Sequence, residues 1–134
     1  MRDAEVEPSI AADPARPDAL IGAWQQDRDL RGGAAGIESA ASTDGGRTWK
    51  EALVPGLTKC SNGPYIRASD PWVSAGPGRA YLGTINIINS DPNVCARDLR
   101  SMAHSPYQAG DRVRRGLTAT TSPALSQTQI GFVL

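Results

Sequence analysis

Ser42-Thr43-Asp44-Gly45-Gly46-Arg47-Thr48-Trp49 is the stretch whose reading decides the fold. Asp-Gly-Gly between two strand-forming runs is a hairpin signal in any protein. The flanking residues make it more specific. Asp44 can turn its carboxylate onto backbone N–H groups two residues on, closing an Asx-type turn. Gly45 and Gly46 tolerate the positive φ that a tight hairpin needs. Ser42 and Thr48 then face each other across the hairpin mouth, where their hydroxyls can cross-bond. Trp49 is expected to lay its ring against a neighbouring sheet, with its N–H left to find an acceptor.

Working outward, the chain reads as short strands separated by turns. Glu7 to Ala12 is a strand, Asp13-Pro14-Ala15-Arg16-Pro17-Asp18 a turn, and Ala19 to Gln26 a more apolar strand expected to be buried on both faces. A polar loop from Asp27 to Gly33 leads to a third strand, Ala35 to Ser42. After the octet comes a fourth, Thr48 to Val54, ended by Pro55-Gly56. The pattern then restarts. Ala68-Ser69-Asp70-Pro71-Trp72-Val73-Ser74, the turn Gly76-Pro77-Gly78 and Arg79 to Ile85 echo Glu7-Pro8-Ser9-Ile10 and the strand after it. Trp24, Trp49 and Trp72 fall on strand positions and read as core.

The octet fits S-x-D-x-G-x-T-W at five of its eight positions and resembles the Asp-box, or BNR repeat, of sialidase-type β-propellers. In that family the octet caps the turn between the third and fourth strands of a blade. The resemblance covers residues 7–85, and no second Asp-box follows where the next blade would carry one. It implies an all-β fold: a β-propeller fragment with one four-stranded antiparallel blade plus part of a second, and an irregular C-terminal tail. The corresponding division is an N-terminal extension (1–6), an Asp-box blade (7–56), a partial second blade (57–88) and an irregular or disordered tail (89–134). Closed propellers need at least about four blades. At about 45 residues a blade, the chain reads as a truncated piece of a longer ring.

Composition supports many turns and sets limits on function. Glycine and proline, 14 and 10 residues, favour short strands over helices. Fourteen basic and 14 acidic side chains cancel, which points away from nucleic acid. No apolar run is long enough to span a membrane. Met1 to Glu7 lacks the apolar core of a signal peptide, so Cys60 and Cys95 are expected to be free thiols. Val94 to Met102 reads as one or two helical turns. The Arg112-Val113-Arg114-Arg115 cluster has no interleaved aromatics and reads as a solvated tail, and Thr118 to Gln129 is too polar to bury a core. His104, the single histidine, falls in the same tail, where neither a triad nor a metal role has support.

Sialidases clamp a sugar carboxylate between arginines, a task suited to the guanidinium fork. They also use a tyrosine nucleophile with an acid/base carboxylate. The first family arginine lies in an aromatic-Arg-Ile-Pro string that this chain lacks. Tyr65-Ile66-Arg67-Ala68 has the wrong order and no proline. No catalytic residue is therefore carried over, and no metal or cofactor is expected. Blade-end placement leaves Asp27 and Arg28 after one inner strand, and Arg67 and Asp70 at the start of another, as candidate substrate-binding residues. Ser42, Asp44, Gly46, Thr48 and Trp49 are structural. The function implied is a piece of a sialidase-like glycoside hydrolase, inactive alone, with a glycan or sialoside as partner of the parent protein. The alternative is a non-catalytic propeller-type binding module.

Overall fold

The computed structural model describes residues 1–88 together with the backbone of two strands at 118–121 and 127–133. Four strands form an antiparallel meander: β1 (Val6–Asp13), β2 (Arg16–Arg28), β3 (Ala34–Ser42) and β4 (Lys50–Leu53). Apart from a 3-10 turn at Lys59–Ser61, the described residues form no helix. A second hairpin follows, β5 (Arg67–Gly76) with β6 (Arg79–Ile87), and β8 (Gln127–Val133) adds to the edge of β6, with β7 (Thr118–Thr121) beyond it. β5 meets β3 at a single pair, Ala34 with Ala68, and the sheet stays open. The chain is thus all-β and antiparallel. No helix among the described residues is long and apolar enough to cross a membrane.

Strand alternation decides which face of the meander is covered. Ile21, Ala23, Gln25, Ile37 and Ser39 share one face and are buried. The hairpin β5–β6 lies across that face. Val73 N–H donates to Ser9 Oγ at 3.1 Å, and Gly78 N–H donates to the buried Asp13 carboxylate at 2.8 Å. Those two bonds set the register of the stack. The core between the layers is made by Ala23, Ile37, Val54, Leu57, Ala68 and Leu82. On the opposite face Gly22, Gly36, Ala40 and Ser42 are also buried, so the expected two-sided burial of β2 holds in part. Leu20 and Trp24 are half-buried there, and Ile10 on β1 is 65% exposed.

The octet forms the β3–β4 connection, and its bonding differs from expectation in detail. Gly46 N–H donates to Ser42 Oγ at 2.9 Å, so serine rather than aspartate closes the two-glycine turn. Gly45 and Gly46 hold φ of 72° and 85°. Asp44 reaches four residues on, where Thr48 donates its N–H to Oδ1 at 2.9 Å and its hydroxyl to Oδ2 at 2.6 Å. Ser42 donates its hydroxyl to Oδ1 at 2.8 Å. The two hydroxyls are therefore joined through the carboxylate and not directly to each other. Trp49 is 38% exposed, because its ring folds back over Gly46 and its indole N–H donates to the Gly46 carbonyl at 3.0 Å. It braces its own turn instead of filling a core. Trp72 is likewise half exposed, lying over its cross-strand neighbour Gly83, where a Cβ would collide with the indole.

Two further expectations are corrected. Cys60, buried on the 3-10 turn, is disulfide-bonded. The start of the chain bears on compartment only indirectly, whereas pairing is decided by local geometry. Strands β7 and β8 lie within the stretch read as irregular. An unpaired edge strand supplies backbone partners without needing an apolar face, and threonine suits a pleated backbone. The helical turns expected at 94–102, the Arg112–Arg115 cluster, Cys95 and His104 lie outside the described residues.

The bonding reorders the octet's energetics. Asp44→Ala removes three acceptor contacts and lowers the melting temperature most. Trp49→Ala, at a site only partly covered, costs roughly 1–2 kcal/mol. Arg47→Ala costs under about 0.5 kcal/mol, since its guanidinium only touches the Asp44 carbonyl from solvent. Thermal melts of the three variants check the order. Thr48 and Ser42 hold the Asp44 carboxyl down at about 2, from an ordinary 3.8. The clasp is therefore at full strength above pH 4 and fades as pH falls towards about 2. Acid melts of Asp44→Asn should be flatter over that window than those of the parent.

Candidate functional site

The four sequence candidates lie at one end of the stack, where β2 ends and β3 and β5 begin. Arg67 and Arg28 both reach the 29–33 loop. Arg67 is buried, and one terminal nitrogen donates to Asp29 Oδ1 at 3.3 Å and to the Gly32 carbonyl. Arg28 donates to the Gly33 carbonyl at 3.1 Å and to Gln25 Oε1 at 3.3 Å. Gln25 continues the network, donating to Ser69 Oγ at 3.3 Å and to the Glu7 carboxylate. Ser69 in turn donates to Asp70 at 2.7 Å. Asp27 is set apart: it is buried, takes a φ of 59°, and accepts the Asp3 N–H at 2.7 Å. It anchors the N-terminal residues alongside the end of β2, where Arg28 N–H also donates to the Ala4 carbonyl at 3.2 Å.

Each member therefore has a different accessibility. Arg67 is a strut that ties the loop to β5, and its Nε is buried without a partner. A guanidinium so enclosed orients the loop more than it meets a ligand. The solvent-facing groups are Asp70, Arg31 and, in part, Arg28 and Asp29. Sequence reasoning named neither Asp29 nor Arg31 as site residues, although Asp29-Leu30-Arg31 stands in the loop that it singled out. Arg31 pairs with Asp29 at 3.2 Å through its side chain and at 2.8 Å through its backbone N–H. That bonding, with Arg67 nearby, holds the Asp29 carboxyl below the usual carboxylate range. The constellation presents guanidinium and carboxylate groups side by side, which suits recognition of a polyhydroxylated or anionic ligand. Tyr65, by contrast, packs against the core, and Tyr81 points from the outer face of β6.

A second ionisable group sits on the less covered face. Glu38 pairs with Trp24 on one side and Leu53 on the other. Burial first, then the charges of Glu51, Glu5 and Asp27, pushes its carboxyl up to about 7. A raised carboxylate is tolerated below its ordinary value of 4.5 and opposes folding once pH rises through about 7. Glu38→Gln should thus raise the melting temperature at pH 8 and change it little at pH 4. Equal effects at both values would show that Glu38 is not the strained charge.

Arg67→Ala should destabilise by roughly 2–3 kcal/mol, because removing the buried donor leaves the Asp29 and Gly32 oxygens without it. Denaturant unfolding measures it, and amide exchange in residues 29–33 should accelerate in the same variant.

Comparison with known proteins returned nothing at any level: no family model matches the chain, and neither a curated protein nor a solved structure matches it.

Proposed function

We propose that this chain is a unit of a sialidase-like β-propeller that binds an acidic glycan without hydrolysing it. The observation that carries the reading is the position of the Asp-box octet. It joins the third and fourth strands of a four-stranded antiparallel meander, and Ser42, Asp44 and Thr48 make the bonds that close the turn. The polar cluster at the strand ends supports a ligand role, because loops there gather contacts from several strands. Arg31, Arg28, Asp29 and Asp70 are the groups that would meet a sugar acid, with Arg67 holding the loop in place. A binding role is favoured over turnover because, of the two described tyrosines, Tyr65 packs against the core and Tyr81 lies on the outer face of β6.

The test is ligand-observed NMR with N-acetylneuraminic acid and, as control, a neutral hexose, alongside a fluorogenic sialoside assay. Saturation transfer from the protein to the acidic sugar is expected. It should fall severalfold in Arg31→Ala and in Arg28→Ala, with no fluorophore released. Equal transfer to both sugars, or none to either, overturns the acidic-glycan reading. Release that disappears in Arg31→Ala overturns the non-hydrolytic one.

A further inference from the structure

The two hairpins of this molecule are structural repeats of each other, and the repeat determines what each exposed face fits. Glu7-Pro8 in β1 corresponds to Asp70-Pro71 in β5. Both acidic residues hold positive φ, 56° and 48°, and both dipeptides fall where the strand pairing slips. The turns match too, Asp13-Pro14-Ala15-Arg16 with Gly76-Pro77-Gly78-Arg79. From the slip to Ala12 and Ala75 the pairs align one for one, and β1–β2 then slips once more before its turn, where residues 17–19 have no counterpart in β6. Ser9 with Ala23 corresponds to Trp72 with Gly83, Ile10 with Gly22 to Val73 with Leu82, and Ala11 with Ile21 to Ser74 with Tyr81.

This alignment sorts the faces. The inner face of β5–β6, with Val73 and Leu82, is the counterpart of the open face of β1–β2, with Ile10 and Gly22. It lies against the covered face of the meander, around Ser9, Ile21 and Ala23. The outer face of β5–β6 is the counterpart of that covered face. It carries Trp72, Tyr81 and Ile85, which are 46%, 42% and 44% exposed. One end of the stack thus has the face that docks within the molecule, and the other end has the face that receives it. Neither is occupied by the described residues.

We propose that copies of this chain associate head to tail, the open face of β1–β2 of one copy seating on the Trp72, Tyr81 and Ile85 face of the next. The contact continues the stacking that already joins the two hairpins within one chain, and it follows from the fold alone, independently of the glycan reading. It is heterologous, so two different patches meet and each copy keeps one of each. Gly22 and Ala40, paired beside Ile10, are small and buried, so Ile10 is the side chain that this face presents to the facing copy.

Sedimentation velocity over a wide concentration range tests the proposal on the whole chain. The wild type should shift to higher mass as concentration rises. Ile10→Lys and Tyr81→Lys, each at an exposed position, should both remain monomeric while keeping the circular dichroism of the parent. Mixed, they retain one open face and one receiving face between them, and should form a heterodimer that grows no further. A wild type that stays monomeric throughout overturns the proposal. Association of either variant on its own at the wild-type level overturns the head-to-tail pairing, since a symmetric contact would need only one patch. Should a variant fail to fold, the wild type decides by amide exchange. Protection rising with concentration at both 20–24 and 81–85 supports the contact, and protection at only one of them refutes it.

Discussion

The packing of the β5–β6 hairpin across one face of the meander is the condition on which this molecule depends. Ala23 and Ala68 are fully buried there beside Ile37, Val54, Leu57 and Leu82, so small and large side chains fill the contact together. That core has six residues, two of them alanines, and so provides limited apolar area. Alignment is then left to directional bonds. Ser9 and Asp13 reach across to backbone N–H groups of the second hairpin and fix its position along the strands. A slip by one residue would break both bonds and turn the covered face outward.

The same constraint explains the polar end of the stack. Where β2 ends and β3 and β5 begin, the apolar core gives way to the 29–33 loop. Arg67 fills the space with a guanidinium, and Asp29 and the Gly32 carbonyl receive it. A loop held by a buried arginine presents its remaining charges in a fixed arrangement, which lowers the entropic cost of engaging a ligand. The two arginines thus differ in placement: Arg67 is buried and holds the loop, and Arg31 faces solvent.

How much of this was legible in the sequence follows from the range of the forces involved. The β3–β4 turn was, because Asp44, Gly45 and Gly46 act within a few residues. The strands of residues 7–85 were as well, to within a few positions, since their alternation and their prolines are local. The acceptor of each bond in the turn was not: serine and aspartate both suit that role, and only the backbone path selects Ser42 for Gly46 and Asp44 for Thr48. Trp49 and Trp72 looked like core because the sequence gives ring size and no indication of which side a ring lies on. The Asp29–Arg67 pair joins residues far apart in the chain, and no spacing rule reaches so far. Strands β7 and β8 went unread because their pairing partners, β6 for β8 and β8 for β7, are set by the fold and not by neighbouring sequence.

The pairing of Trp72 with Gly83 carries a consequence for how this sequence can change over generations. The indole occupies the volume that any side chain at 83 would need. While the tryptophan is present, the position opposite accepts glycine alone, and mutations there are purged. If the tryptophan is first replaced by a small residue, the opposite position is released and drifts. The two sites should therefore behave as a linked pair among descendants of this chain, with the order of substitution running one way: ring lost before glycine replaced.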